Sequence, residues 1–294
     1  MKMMMDSMDI AFPNLGLYLE NVPQGFYIGN FYIAIYGCLI ALGVIAGIYM
    51  AAHMAKVTGQ DPDLYWDFAI YAVIFSIVGA RIYYVVFEWE QYKDNLLNIF
   101  NLRQGGIAIY GAVIGAFITL FIYCKIKKKT PLLMGDTAMP GLILGQVIGR
   151  WGNFFNREVF GEYTDSLFAM RLPESMVRQR DISELIRANM AEGTNYIQVH
   201  PTFFYESVLN LILFIFMLIY HKHKKFDGEI CLLYLGGYGI IRFFVEGIRT
   251  DQLKLWNTGI AVSQVLGIVL FVVSVIVDVC VRVKLSKKAK VEEA

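Results

Sequence analysis

Residues 27–50 read YIGNFYIAIYGCLIALGVIAGIYM, a run of twenty-four positions without a charged side chain. An α-helix rises about 1.5 Å per residue, so about 20 such residues cross a bilayer's hydrocarbon core. Six further, mostly apolar runs follow, near Leu64–Phe87, Gly105–Cys124, Leu132–Gly149, Phe203–Tyr220, Glu229–Gly247 and Thr258–Val283. Of the 294 residues, 57% are hydrophobic and 17% charged, whereas a soluble domain carries about a quarter charged residues. A net charge of +1 lacks the basic excess that phosphate backbones require, which argues against a nucleic-acid partner. The expected fold is an all-α polytopic membrane protein of about seven transmembrane helices.

Lysine gathers in alternate connections: Lys56; Lys125, Lys127, Lys128 and Lys129; Lys222, Lys224 and Lys225; then Arg282, Lys284, Lys287, Lys288 and Lys290. The positive-inside rule puts these in the cytoplasm, leaving the N-terminus outside and the C-terminus inside. The expected organisation is an extracytoplasmic arm over 1–26, four spans over 27–149, an outer loop and head over 150–202, three spans over 203–283, and a basic cytoplasmic tail over 284–294. Within the head, Met176, Ile182, Leu185, Ile186 and Met190 recur at helical spacing, predicting one amphipathic helix. The N-terminus lacks the basic-then-apolar run of a signal peptide.

Small residues four apart, Gly43/Gly47, Gly111/Gly115 and Gly141/Gly145/Gly149, share helix faces and suit close packing. Cys38, Cys124, Cys231 and Cys280 lie in or beside apolar runs without metal-ligand spacing and read as small buried hydrophobes. His221 and His223 fall in a basic connection, where a solvated loop outweighs a metal pair. No metal cluster or nucleotide loop is evident, so no cofactor is expected.

Charges inside apolar runs cost roughly 2.5–3.5 kcal/mol each on insertion scales and mark function by default. Arg81 interrupts one run and Arg150 ends another; Tyr238, Arg242, Glu246 and Arg249 form one helical stripe. An internal Arg242–Glu246 salt bridge is the simplest reading of Glu246. Arg150 and Arg242, with no obvious surplus of neighbouring carboxylate, call instead for an anion from outside the chain. In a bilayer that anion is a lipid phosphate, which guanidinium binds through paired charge-assisted hydrogen bonds. The residues alone therefore read as a phospholipid-handling protein: an enzyme, a flippase or a lipid-gated transporter.

From Gly149 the chain reads GRWGNFFNREVFG, which resembles the signature of the prolipoprotein diacylglyceryl transferases at Arg150, Gly152, Asn153, Asn156, Glu158 and Gly161. Further landmarks of that family follow its order: Tyr36-Gly37, GARIYYV around Arg81, Gly105-Gly106, Asp136 before Pro140, HPTFFYE at His200–Glu206, and GYGIIRFFVEGIR at Gly237–Arg249. The resemblance covers nearly the whole chain. It implies transfer of the diacylglyceryl group of phosphatidylglycerol to the lipobox cysteine of preprolipoproteins in the bacterial cell membrane, with release of glycerol 1-phosphate. The topology above puts the site toward the outer leaflet, and the resemblance implies the headgroup at Arg150 and an activity-bearing arginine at Arg242. Asn153, Glu158, Gly161, Tyr238 and Glu246 match further positions of importance, as do Tyr36 and Arg81.

One departure bears on mechanism. Where many members carry a histidine proposed as the base, this chain reads GGIAIYGAVIG, with Tyr110 at that place. A tyrosine of pKa near 10 is poorly matched to a thiol near 8.5, so Tyr110 is expected to donate a hydrogen bond to phosphate. Glu206 and Glu246 are the next candidates for a base. His200, before Pro201, is expected to cap the following helix. A scramblase or lipid transporter would share these charges, yet the internal repeats of such proteins are not evident. An intramembrane protease would need a GxS serine or a second membrane aspartate beside Asp136, and the sequence offers neither.

Overall fold

The computed structural model describes residues 4–101, 105–255 and 258–292. The first three residues of the expected N-terminal arm and the last two of the basic tail lie outside these. Among the described residues, seven helices are long and apolar enough to cross a membrane. They are α1 (Ile35–Val57), α2 (Asp63–Phe87), α3 (Ile109–Lys127), α4 (Pro131–Asn156), α6 (Thr202–His221), α7 (Glu229–Gly247) and α8 (Val262–Glu292), with a short α5 (Glu184–Ala188) between α4 and α6. This is the polytopic helical architecture expected, and the chain is a multi-pass membrane protein.

The first span differs from its expected bounds. Residues Gly25–Ile28 and Phe31–Ala34 form a hairpin, β3 and β4, paired from Gly25↔Ala34 to Ile28↔Phe31 around a two-residue loop. Gly29 takes φ +60° there, a left-handed conformation that a Cβ disfavours. Aromatic and β-branched side chains are as apolar as helix formers, so hydropathy alone runs hairpin and span together. The helix starts at Ile35 instead of Tyr27 and continues to Val57.

The chain divides into two compact units: Met1–Gly47 with Pro140–Ala294, and Ile48–Met139. In the first, β1 (Ile10–Phe12), β2 (Leu17–Leu19), β5 (Met170–Pro173) and β6 (Tyr196–Val199) form an antiparallel sheet in the order β2-β1-β5-β6. Ile10, Leu172, Ile197 and Val199 of this sheet pack with Phe154, Phe160, Ile186 and Phe203, joining the head to the ends of α4 and α6. The single amphipathic helix expected over Met176–Met190 is replaced by two 3-10 turns and the five-residue α5. Ser183 caps α5 through the Ile186 N–H, which breaks the longer period; Ile182 and Ile186 are buried but Leu185 is exposed.

Two glycine pairs set helix spacing in this unit. A Cβ on Gly47 would lie 2.7 Å from the Gly141 carbonyl oxygen, and one on Gly239 2.5 Å from that of Gly267. Backbones this close admit no side chain, so the stripes serve packing, as read from their spacing. The helices α7 and α8 are clasped at their other end, where the Arg282 guanidinium meets Glu229 and Tyr220.

The second unit packs α2 on α3 through Gly79, Gly111 and Gly115, with Tyr65, Tyr123, Cys124 and Met134 in its core. Cys124 is buried against Met134, but Cys38 and Cys280 are exposed on their helices, correcting the expectation that all four cysteines are buried. His221 likewise is buried at the end of α6, while His223 beyond it is exposed, so the basic loop expected to carry both holds only His223.

Candidate anion site on helices α4, α6 and α7

The site begins with how α4 ends. Arg157 takes φ +55°; its N–H donates to Phe154 O at 3.1 Å and that of Glu158 to Asn153 O at 3.1 Å. This paired pattern closes a helix with a left-handed residue. It turns the chain back so that the side-chain amides of Asn153 and Asn156 both donate to Glu158 Oε1, at 3.1 and 3.2 Å. Arg178 of the head reaches Glu158 Oε2 at 3.2 Å. The Arg157 side chain is buried and donates to the carbonyls of Phe155, Met8 and Val22, fastening the N-terminal arm to this turn.

Beyond the turn, the segment docks on the end of α7. Gly161 N–H donates to His200 O at 3.0 Å and Glu162 N–H to Ile248 O at 2.8 Å. A Cβ on Gly161 would lie 2.7 Å from the Ile248 carbonyl oxygen and 2.8 Å from His200 Cβ. Gly152 accepts the Tyr36 ring in the same manner, a Cβ there falling 2.6 Å from Tyr36 Cδ2. The glycines of the signature are therefore contact points.

Arg150 and Arg242 meet at one carboxylate. Glu206 on α6 is 1% exposed; its Oε1 lies 2.8 Å from Arg150 Nη2 and its Oε2 3.5 Å from Arg242 Nη1. The Tyr238 hydroxyl donates to Glu206 Oε1 at 3.1 Å and lies 3.4 Å from Arg150 Nη2. Arg150 Nη1 is 3.5 Å from Asn153 Oδ1. Arg242 Nη2 pairs with Glu246 Oε2 at 2.5 Å, and Arg249 Nη1 approaches the same oxygen at 3.6 Å. Arg249 then binds Asp251 through two nitrogens, at 2.9 and 2.8 Å. That pairing holds the Asp251 carboxyl below its ordinary range.

The expectation that Arg150 and Arg242 lack a nearby carboxylate is therefore corrected. Glu206 lies between them, and with Glu246 and Asp251 it balances the charges of Arg150, Arg242 and Arg249. A carboxylate at the apolar start of a span resembles an isolated helix-end acid, and only the arrangement of three helices reveals it as the bridge. Each guanidinium carries five donors, so sharing one carboxylate leaves each able to bind a further anion. The arrangement suits an anion that joins the cluster.

The His200 carbonyl accepts the Thr202 N–H that opens α6 at 3.0 Å, while its ring Nδ1 lies 3.2 Å from the Tyr205 hydroxyl instead of capping the helix, and burial lowers its pKa. Arg81 and Tyr110 lie in the second unit. The Arg81 guanidinium is buried and donates to the carbonyls of Asn98, Ile99, Asn101, Gly105 and Gly106, with the Tyr92 ring 5.0 Å away. Its donors are spent on folding a loop. Tyr110 stands at the start of α3, 40% exposed, its ring 6.2 Å from that of Tyr83.

A family model described as prolipoprotein diacylglyceryl transferase matches residues 23–280. A protein of Clostridium botulinum is 41% identical over 249 residues, covering 84% of this chain and 95% of its own length. One of Staphylococcus haemolyticus is 39% identical over 264 residues, 89% of each chain, and one of Finegoldia magna 40% identical over 245 residues, 83% of this chain and 89% of its own. Each carries the name phosphatidylglycerol–prolipoprotein diacylglyceryl transferase.

Proposed function

The chain belongs to the prolipoprotein diacylglyceryl transferase family, and on that premise we propose that it moves the diacylglyceryl group of phosphatidylglycerol onto the lipobox cysteine thiol of preprolipoproteins. The observation that carries the site assignment is the convergence of Arg150 and Arg242, from separate helices, on Glu206. Two guanidiniums fixed side by side in an apolar surround bind a phosphodiester through the donors that Glu206 does not take. Asn153, Tyr238 and Glu246 orient those guanidiniums; Glu158, Gly161 and Tyr36 hold the signature turn beneath them. The pattern of basic connections supports a site toward the outer leaflet of the cell membrane, with the N-terminus outside and the C-terminus inside.

The thiolate sulfur attacks the glycerol carbon that bears the phosphate oxygen; a carbon–sulfur bond forms and the carbon–oxygen bond breaks. The phosphodiester monoanion becomes glycerol 1-phosphate, a monoester whose second pKa is about 6. Charge that develops on this leaving group is met by guanidiniums already in place, which is where fixed donors accelerate most. A few per cent of a cysteine is thiolate at neutral pH, and nearby cations increase that fraction. The thiol proton ends on solvent or on the released phosphate. No histidine base is required.

The test incubates the purified protein with phosphatidylglycerol and a lipobox peptide, then measures glycerol phosphate and the thioether-linked peptide. Both products are expected, and phosphatidylethanolamine is expected to yield neither. Absence of both products with phosphatidylglycerol overturns the proposal.

A further inference from the structure

One helical turn beyond the arginine cluster, away from the signature turn, the same three helices carry a second polar tier. On α6, Asn210 is fully buried and neither its Nδ2 nor its Oδ1 has a hydrogen-bond partner. It lies between Glu206, which touches Tyr238, and Leu213, which packs at Gly237; its face of α6 is therefore the one turned to α7. On α4, Gln146 sits one turn from Arg150. Its Nε2 donates to the Tyr234 hydroxyl at 2.8 Å, and its Oε1 is buried without a partner. On α7, Tyr234 stacks on Tyr238 at 5.8 Å between ring centres. The Ser207 hydroxyl donates to Val147 O at 2.9 Å, tying α6 to α4 at this level.

Buried polar groups left without partners are costly and rare, and inside an apolar span no bulk water relieves them. This tier contains no charge, so it suits a neutral polar group. Its spare donors can be counted. Asn210 Nδ2 is one. The Gln146–Tyr234 pair supplies a second whichever way the amide is turned: with Nε2 donating, the tyrosine O–H is left over; with the amide reversed, Nε2 is.

We propose that Asn210, Gln146 and Tyr234 form a subsite for the ester carbonyls of the donor lipid. This rests on the transferase reading above. A diacyl glycerophospholipid presents neutral ester acceptors a few bonds from its phosphate. One turn of helix, about 6 Å, separates the tier from Arg150 and Glu206, a span comparable with that between phosphate and esters. The lipid is thereby read at two levels: its charge by the arginines and its ester linkages by the amides.

The experiment compares diacyl phosphatidylglycerol with its di-O-alkyl ether analogue, which keeps the phosphate and the chains but lacks both carbonyls. Glycerol phosphate release is measured with a lipobox peptide, and binding of each lipid by the purified protein is measured separately. For the unaltered protein the ether lipid is expected to show a KM and Kd about tenfold higher, the weight of one such hydrogen bond in a dry site. Asn210→Leu is expected to raise the diacyl values about tenfold and leave the ether values unchanged; Gln146→Met is expected to act in the same direction. Equal values for the two lipids in the unaltered protein, or an equal penalty on both in Asn210→Leu, overturn the subsite. Failure of either lipid to be turned over while the binding difference stands overturns the transferase reading and leaves the subsite supported.

Discussion

The carboxylate of Glu206 lies 2.8 Å from Arg150 on α4 and reaches Arg242 on α7 with its other oxygen. A neutral group at this place would leave two half-buried guanidiniums facing each other beside the buried Glu206 position. Breaking one side of a buried ion pair costs about 3–5 kcal/mol, because the remaining charge keeps its desolvation cost. Glu206→Gln is therefore expected to lower kcat/KM at least about a hundredfold and to lower the melting temperature. Kinetics with phosphatidylglycerol and a thermal melt check both, and full activity in Glu206→Gln would remove the bridge from the mechanism.

Arg150 serves Glu206, Tyr238 and Asn153 through two nitrogens at once. A lysine keeps the charge but offers a single point of donation on a flexible stem. Arg150→Lys is accordingly expected to fall close to Arg150→Ala, about a hundredfold or more below the unaltered enzyme. Glycerol phosphate release decides it; rescue by lysine to within about threefold would mean that charge alone suffices.

Gly161 approaches Ile248 and His200 too closely for a Cβ. An alanine there forces the signature segment off the end of α7, where Glu162 and Thr250 also hydrogen-bond across. Overpacking of this kind costs about 1–3 kcal/mol. Gly161→Ala is expected to lower both the melting temperature and kcat, as a thermal melt and glycerol phosphate release would show.

Burial lowers the pKa of His200, so the fold favours its neutral form. Above its ordinary value of about 6.5, folded and unfolded chains both carry it neutral and it adds no pH dependence. As pH falls below that value, the unfolded chain takes up a proton that the folded chain resists, and stability declines until the folded-state value is passed. His200→Gln is expected to flatten the melting-temperature profile as pH falls below about 6.5. An unchanged slope in that window would assign the loss to other groups.

Much of this was legible in the sequence, and the omissions have physical causes. Six of the seven spans follow from apolar length, whereas most of the Gly25–Ala34 hairpin runs into the first because β-branched and aromatic residues score as apolar in either structure. The Gly29-Asn30 pair between two short apolar runs was the available signal for a hairpin. Arg150 and Arg242 stood out because charge in an apolar run is expensive. Arg81 stood out for the same reason, yet its donors go to five carbonyls, a use that hydropathy cannot distinguish from anion binding. Glu206 was visible in HPTFFYE only as a possible base; its pairing with two arginines from helices distant in sequence is a tertiary fact. The head's sheet escaped for a related reason: β1 and β5 are separated by about 160 residues, and no local period reveals such a pairing.

The fate of the thiol proton yields the remaining prediction. A neutral phenol near pKa 10 such as a tyrosine is a poor acceptor for a thiol near 8.5. If the arginines carry the electrostatic work and the reacting species is the thiolate already present, the rate tracks thiolate concentration. The logarithm of kcat/KM should then climb steadily between about pH 6 and 8 without a step near 6.5 that a histidine base would impose. If Tyr110 gives phosphate a hydrogen bond, Tyr110→Phe is expected to raise KM for phosphatidylglycerol about tenfold while kcat stays within about threefold. Tyr110→His should introduce the missing step in the pH profile if that position can act as a base at all. Loss of turnover in Tyr110→Phe with lipid binding intact would transfer the proton to a protein base.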